Sequence, residues 1–148
     1  MWNGLLHTNT EWTGLILRLV LALVIFPHGA QKALGWFGGY GYAGTMQYFT
    51  KQAGLPAPVA FLVILAEFVG PIALVAGFGT RLAALLIAAV MVGAIFKVHR
   101  PIGFFMNWGG RHQAGAEGYE FHLLAIAIAA ALLVTGGGAF SIDGLMAR

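Results

Sequence analysis

The chain contains no cysteine. That removes disulfides, thiol nucleophiles, cysteine-held iron–sulfur clusters and cysteine zinc sites from the chemistry open to it. Charge is almost as scarce. Eight Lys or Arg and five Asp or Glu make 9% of 148 residues, against roughly 25% in an ordinary soluble domain. So few ionised groups cannot clothe a water-soluble globule. Basic runs are missing too, the densest cluster being Lys97 with Arg100. The net charge of +3 and the pI near 9.6 therefore carry no case for nucleic acid.

What is present is apolar. Hydrophobic residues make 59% of the chain and the mean hydropathy is +0.83, with 22 glycines. A disordered chain would be poor in apolar residues. The composition points to a single domain, residues 1–148, that sits in a lipid bilayer. The first 12 residues lack Lys and Arg, and the apolar stretch after them is too long for a signal-peptide core, so no cleavable signal peptide is expected.

Four apolar segments follow: about 13–34, 57–78, 81–98 and 118–135. A spanning helix needs roughly 17–25 residues, and backbone groups in hydrocarbon must be paired internally. Period-two alternation is absent, which argues against a β-barrel. The pattern predicts an all-α, four-transmembrane-helix antiparallel bundle. Segments two and three are joined by almost nothing, Gly79-Thr80, so they form a tight hairpin. The two long connections follow odd-numbered crossings and lie on one side. Within the first, Thr45 to Gln52 predicts a short interfacial helix, with Met46 and Phe49 dipping into lipid. Lys32, Lys51, Lys97, Arg100 and Arg111 lie on the long-loop side, against Arg81 and Arg148 on the other. That bias places the long loops in the cytoplasm and both termini outside.

Ionisable groups inside a membrane are costly and usually partnered. Glu67 lies about ten residues into its helix, roughly 15 Å deep at 1.5 Å per residue. Its short side chain cannot reach the interface, and Pro71 four residues later frees the Glu67 carbonyl. Proton relay or ligand binding is one reading; a structural tie to another helix is the other. His28 lies roughly 9 Å deep from the same side and shares a face with Lys32. Helical side chains lean toward the N-terminus, so His28 and Glu67, on oppositely directed helices, lean toward each other. Arg18 lies near the other surface, and its simplest reading is snorkelling to the interface, with a tertiary ion pair as the alternative. Glu120 in a first turn suits the helix dipole. Even so, His28, Lys32, His99, Tyr119, Glu120 and His122 fall at one end of the bundle. Donors and acceptors beside an apolar slot are what a quinone needs: its carbonyls take hydrogen bonds, its reduction consumes protons and its tail wants hydrocarbon. Glu67 and His28 are the candidate catalytic groups. His28, Lys32, Arg18, Glu120, His122 and Tyr119 are the candidate binding groups. Bis-histidine haem ligation is the weaker alternative, and no metal site is expected.

Other patterns are set aside. Gly39-Tyr40-Gly41-Tyr42-Ala43-Gly44 matches G-x-G-x-x-G, but it follows a membrane helix rather than a strand and reads as a flexible loop with close backbone packing. His112 and Glu117 read as solvated loop residues. Alanines between Ala125 and Ala131 have the small-xxx-small spacing of close helix packing, within one protomer or in a homo-oligomer.

The sequence also resembles the DoxX family. The similarity runs through Leu17-Arg18-Leu19, Phe26-Pro27-His28-Gly29-Ala30-Gln31-Lys32 and Gly35-Trp36-Phe37-Gly38-Gly39. It continues in Ala66-Glu67-Phe68-Val69-Gly70, Gly79-Thr80-Arg81-Leu82-Ala83, His99 with Gly103-Phe104-Phe105, Gly118-Tyr119-Glu120 and Phe140-Ser141-Ile142-Asp143. The resemblance implies a small four-helix protein of the bacterial inner membrane. The family takes its name from a thiosulfate:quinone oxidoreductase of sulfur-oxidising archaea, and relatives join membrane redox complexes. Arg18, His28, Lys32, Glu67 and Glu120 match the family's recurrent polar positions. Without cysteine, electrons would have to come from a cofactor or a partner subunit. Three functions stay open: a quinone-interacting oxidoreductase subunit, a non-catalytic scaffold for soluble redox proteins, and a small proton-coupled carrier.

Overall fold

A computed structural model describes residues 11–110, 112–113 and 115–147. The first ten residues and two charges used for orientation, Arg111 and Arg148, lie outside the described residues. Every regular element among those described is helical. Helix α1 runs Trp12–Leu34, and Gly35 ends it at φ 77°, a left-handed conformation that a residue without Cβ adopts at little cost. A 3-10 turn (Trp36–Gly38) leads to α2 (Gly41–Gln47), which a π turn (Tyr48–Gln52) prolongs. Helix α3 spans Ala57–Ala76 and α4 spans Thr80–Ala94, the latter prolonged by a second π turn (Ile95–His99). Helix α5 is Glu120–Thr135 and α6 is Ile142–Met146.

Three helices are long and apolar enough to cross a membrane: Trp12–Leu34, Ala57–Ala76 and Thr80–His99. Helix α5 is apolar but only 16 residues long. Helix α1 packs along α3, α3 against α4, α4 against α5, and α5 returns to α1. The core at their centre is built from Leu21, Ile25, Leu74, Ile87, Ala129 and Leu132, with Ala125 beside them. Ala125 and Ala129 therefore spend their small size inside the protomer. Outside the ring the chain is just as apolar: Leu23, Leu82, Leu124 and Val134 are 62–80% exposed. A surface of this kind matches hydrocarbon, not water.

Two helices approach more closely than side chains allow. A Cβ on Gly29 of α1 would fall on the carbonyl of Glu67 in α3. That carbonyl is the one Pro71 leaves without its intrahelical donor, so proline and glycine together bring the two backbones into contact.

The end of the bundle opposite the long loops is tied by Arg18, which corrects the snorkelling expectation. Arg18 is 1% exposed. Its Nε donates to Gly137 O (2.9 Å), one terminal nitrogen to Leu74 O and Val75 O (2.9 and 2.5 Å), and the other to Ala139 O and Phe140 O (2.9 and 2.6 Å). A guanidinium has five N–H donors, and all five are used. Leu74 and Val75 lie in the last turn of α3, whose carbonyls have no partner within the helix. Asp143 of α6 accepts from the amides of Gly79 (2.7 Å) and Thr80 (2.8 Å) at the start of α4. Arg81 donates to the carbonyls of Leu133 (2.9 Å) and Val134 (3.1 Å) at the end of α5.

The first long connection is more ordered than a flexible loop. Gly41 to Gly44 form the first turn of α2, which begins four residues before the expected Thr45, while Gly39 just ahead of it packs its backbone closely against Gln31, as expected of the glycine pattern.

Candidate functional site

At the long-loop end the helices part around a cavity of about 610 Å³. Helix α1 contributes Ile25, His28 and Lys32; α3 contributes Val59, Leu62, Val63, Ala66 and Glu67. Helix α4 and its π turn add a stripe from Leu86 to His99, and α5 adds Phe121 and His122. Phe49, Ala53 and Leu55 close one side from the first connection, and Met106 and Glu117 from the second. Phe49 therefore faces the interior rather than dipping into lipid as expected.

The wall is apolar except for one group of polar side chains. Glu67, 4% exposed, sits deepest. Lys32 Nζ lies 2.5 Å from Glu67 Oε2. The contact is an ion pair, and Oε2 is buried beneath it without a hydrogen bond. His28 stands on the same wall, exposed toward the opening, with its ring 6.5 Å from Phe121. The depth argument expects His28 and Glu67 to lean toward each other; in the structure it is Lys32, one turn further along α1, that reaches the carboxylate.

His99 and His122 form the other polar pole. Their ring centres are 4.0 Å apart at 42°. His99 Nδ1 lies 2.7 Å from the Glu117 carbonyl. A carbonyl only accepts, so Nδ1 carries the hydrogen. The π turn places His99 here: its longer rung, Arg100 N to Ile95 O at 2.8 Å, adds one residue to the helix before the chain leaves it. His122 is 8% exposed, and its Nδ1 has no hydrogen-bond partner. A buried unpaired polar atom costs about 1–3 kcal/mol, and native structures rarely keep one without a reason. The two rings are too close for a haem macrocycle to lie between them. Among the described residues no three His, Cys, Asp or Glu converge to hold a metal.

The structure does not bring the remaining candidates to the cavity wall. Arg18 is committed to the opposite end. Glu120 Oε1 accepts from Met106 N at 2.8 Å, and the Tyr119 ring packs edge-on against Phe104 at 5.6 Å. They belong to a zipper joining the second long connection to α5. The amides of Gly118, Tyr119 and Glu120 donate to the carbonyls of Phe105, Gly103 and Phe104 at 3.2, 3.1 and 2.9 Å. Glu117 Oε2 extends it by accepting from Asn107 N at 2.6 Å. Glu117 is thus not the solvated residue expected but part of the cavity wall. Lys97 also lines the cavity and was missed, although Val90, Ala94 and Lys97 share one face by helical spacing. Glu117 had no such signal, because its place depends on how the loop closes.

The model of the family described as DoxX matches residues 13–100. This chain belongs to the DoxX family. The match takes in Arg18, His28, Lys32, Glu67 and His99, and so most of the cavity's polar wall. Among curated relatives, the "Putative oxidoreductase CatD" of Bacillus subtilis is 28% identical over 138 residues, covering 93% of this chain and 90% of its own. The "Inner membrane protein YqjF" of Escherichia coli is 34% identical over 136 residues, covering 92% of this chain and 94% of its own. No solved structure matches.

Proposed function

We propose that this DoxX-family protein is the quinone-interacting subunit of a membrane oxidoreductase. The observation that carries this reading is the apolar cavity with its polar groups confined to one end, Glu67–Lys32 on one side and the orphaned Nδ1 of His122 on the other. The residues fit a quinone head group. Lys32 and His28 can donate to a carbonyl oxygen, and the unpaired Nδ1 of His122 gains a partner. Quinone reduction takes two electrons and two protons, and the ligand supplies that redox chemistry. The chain supplies protons and position: Lys32 beside Glu67 can pass one proton to a carbonyl oxygen and His28 can relay the second, while the apolar wall keeps bulk water from the head group. The electrons come from a partner subunit of redox type. The name of the Bacillus relative supports this class of reaction.

In this reading α5 is the fourth span and the helices form an antiparallel four-span bundle. Its 16 residues rise about 24 Å at 1.5 Å each, and Gly118 and Tyr119 lengthen the apolar stretch. The long loops face the cytoplasm of a bacterial inner membrane, in line with the location named for the Escherichia relative.

The test is purification in mild detergent, wild type beside Glu67→Gln, with bound quinone identified by absorbance and mass spectrometry. Near one quinone per protomer, lost or weakened in the variant, supports the reading. A quinone-free protein that also fails to take up added decyl-ubiquinone overturns it. A scaffold for soluble redox proteins then becomes the better account. Trp108 (87%) and Phe105 (74%) on the outer connection favour that role, being exposed.

A further inference from the structure

The cavity is not sealed on its α3–α4 side. Val59, Leu62 and Ala66 on α3 recur at helical spacing, as do Leu86, Ala89 and Gly93 on α4, and all six line the cavity. Yet Val59, Leu62 and Leu86 are 43%, 56% and 42% exposed. Residues that line a cavity and are also open to the surroundings mark its mouth. Nearer the hairpin the same two helices are in contact, with Ile87 against Gly70, and Gly77–Gly79 joins them. Helices α3 and α4 therefore form a wedge, closed at the hairpin and open toward the long loops. Both are membrane spans by length and composition, so the mouth faces hydrocarbon rather than water.

We propose that this wedge is a slot for a single hydrocarbon chain, through which an amphiphile slides sideways from the bilayer with its head group toward Glu67, Lys32 and His122. This deepens the quinone reading and names the class of ligand it admits, a head group that accepts hydrogen bonds on one long apolar tail. Two features select that occupant. The slot walls carry only apolar side chains, so a polar or charged peptide finds no partner there. The inner end holds Lys32, Lys97, His28, His99 and His122 against Glu67 and Glu117, an excess of donors that suits an accepting or anionic head.

The lack of cysteine makes the test clean. Gly93 faces the slot with no atom within 4 Å of an added Cβ, so Gly93→Cys labelled with bimane reports on the slot. Leu82→Cys, on the outward side of α4 and 62% exposed, reports on ordinary lipid contact. Each labelled protein, otherwise full-length, is titrated with dibromostearate, whose bromines quench the fluorophore. The slot predicts quenching at position 93 that saturates, while quenching at 82 rises without saturation. Decyl-ubiquinone should then restore fluorescence at concentrations at least about tenfold below those of the same quinone without its tail, because only the tailed quinone competes for the slot that the dibromostearate chain fills. Quenching at 93 that follows the curve at 82 overturns the slot. Saturable quenching that decyl-ubiquinone does not relieve keeps the slot and overturns the quinone reading. Ala89→Cys, one turn away on the same face, gives the same readout if Gly93→Cys fails to fold.

Discussion

Gly29 of α1 and Glu67 of α3 meet through their backbones, with the Glu67 carbonyl standing where a Cβ of residue 29 would be. The ion pair made by Lys32, one turn further along α1, depends on that closeness. Gly29→Ala is therefore expected to push the helices apart and destabilise the protein by about 1–3 kcal/mol, the usual cost of overpacking. Thermal unfolding in detergent checks this. An unchanged midpoint would mean that the two backbones are not locked together.

Arg18 holds five carbonyls that have no other described donor among the side chains. Lysine brings three donors and no planar fork. Arg18→Lys should then cost about 3–5 kcal/mol, on the scale of a broken buried charge network, and Arg18→Ala at least as much. The unfolding midpoint is the measurement. A wild-type midpoint for Arg18→Lys would restore the snorkelling account.

Asp143 caps the first amides of α4 with both carboxylate oxygens. Asp143→Asn keeps one acceptor and loses the charge that favours a helix N-terminus. A loss of about 0.5–2 kcal/mol is expected, visible as a lower midpoint with quinone affinity unchanged.

His122 is predicted to trade stability for binding. His122→Phe removes the unpaired Nδ1 while keeping an aromatic ring against His99, so the ligand-free protein should gain about 1–3 kcal/mol. Its affinity for decyl-ubiquinone should fall at least tenfold, about 1.4 kcal/mol. Denaturation and titration on the same preparation read both. Loss of stability together with unchanged affinity would make His122 a packing residue.

Glu67→Gln keeps the shape of the side chain and removes its charge. Lys32 is 26% exposed at its side chain and can turn to solvent, so the fold should survive. Quinone-linked turnover in membranes should be abolished. A normal rate would remove Glu67 from any proton role.

The sequence shows the membrane helices plainly, because apolar runs bounded by glycine and proline need no tertiary information. Rise per residue places His28 and Glu67 within reach of each other, but which side chain of α1 takes the carboxylate is decided by packing, and it is Lys32. Arg18 was misread for the opposite reason: its partners include Gly137, 119 residues away, and no local pattern announces a chain end folding back as a ring of acceptors. The cavity is equally invisible in one dimension. Its wall is completed by Phe49 and Glu117, which arrive from two separate connections. The π turn at Ile95–His99 shifts His99 by a residue relative to a regular helix, a displacement that periodicity cannot register.

The zipper between residues 103–107 and 117–120 has a mechanical meaning. Three backbone bonds and two carboxylates fasten the outermost connection to the first turn of α5, and His122 sits in that turn. The connection and the base of α5 are thereby one fastened piece, and the cavity wall that carries His122 stands on it.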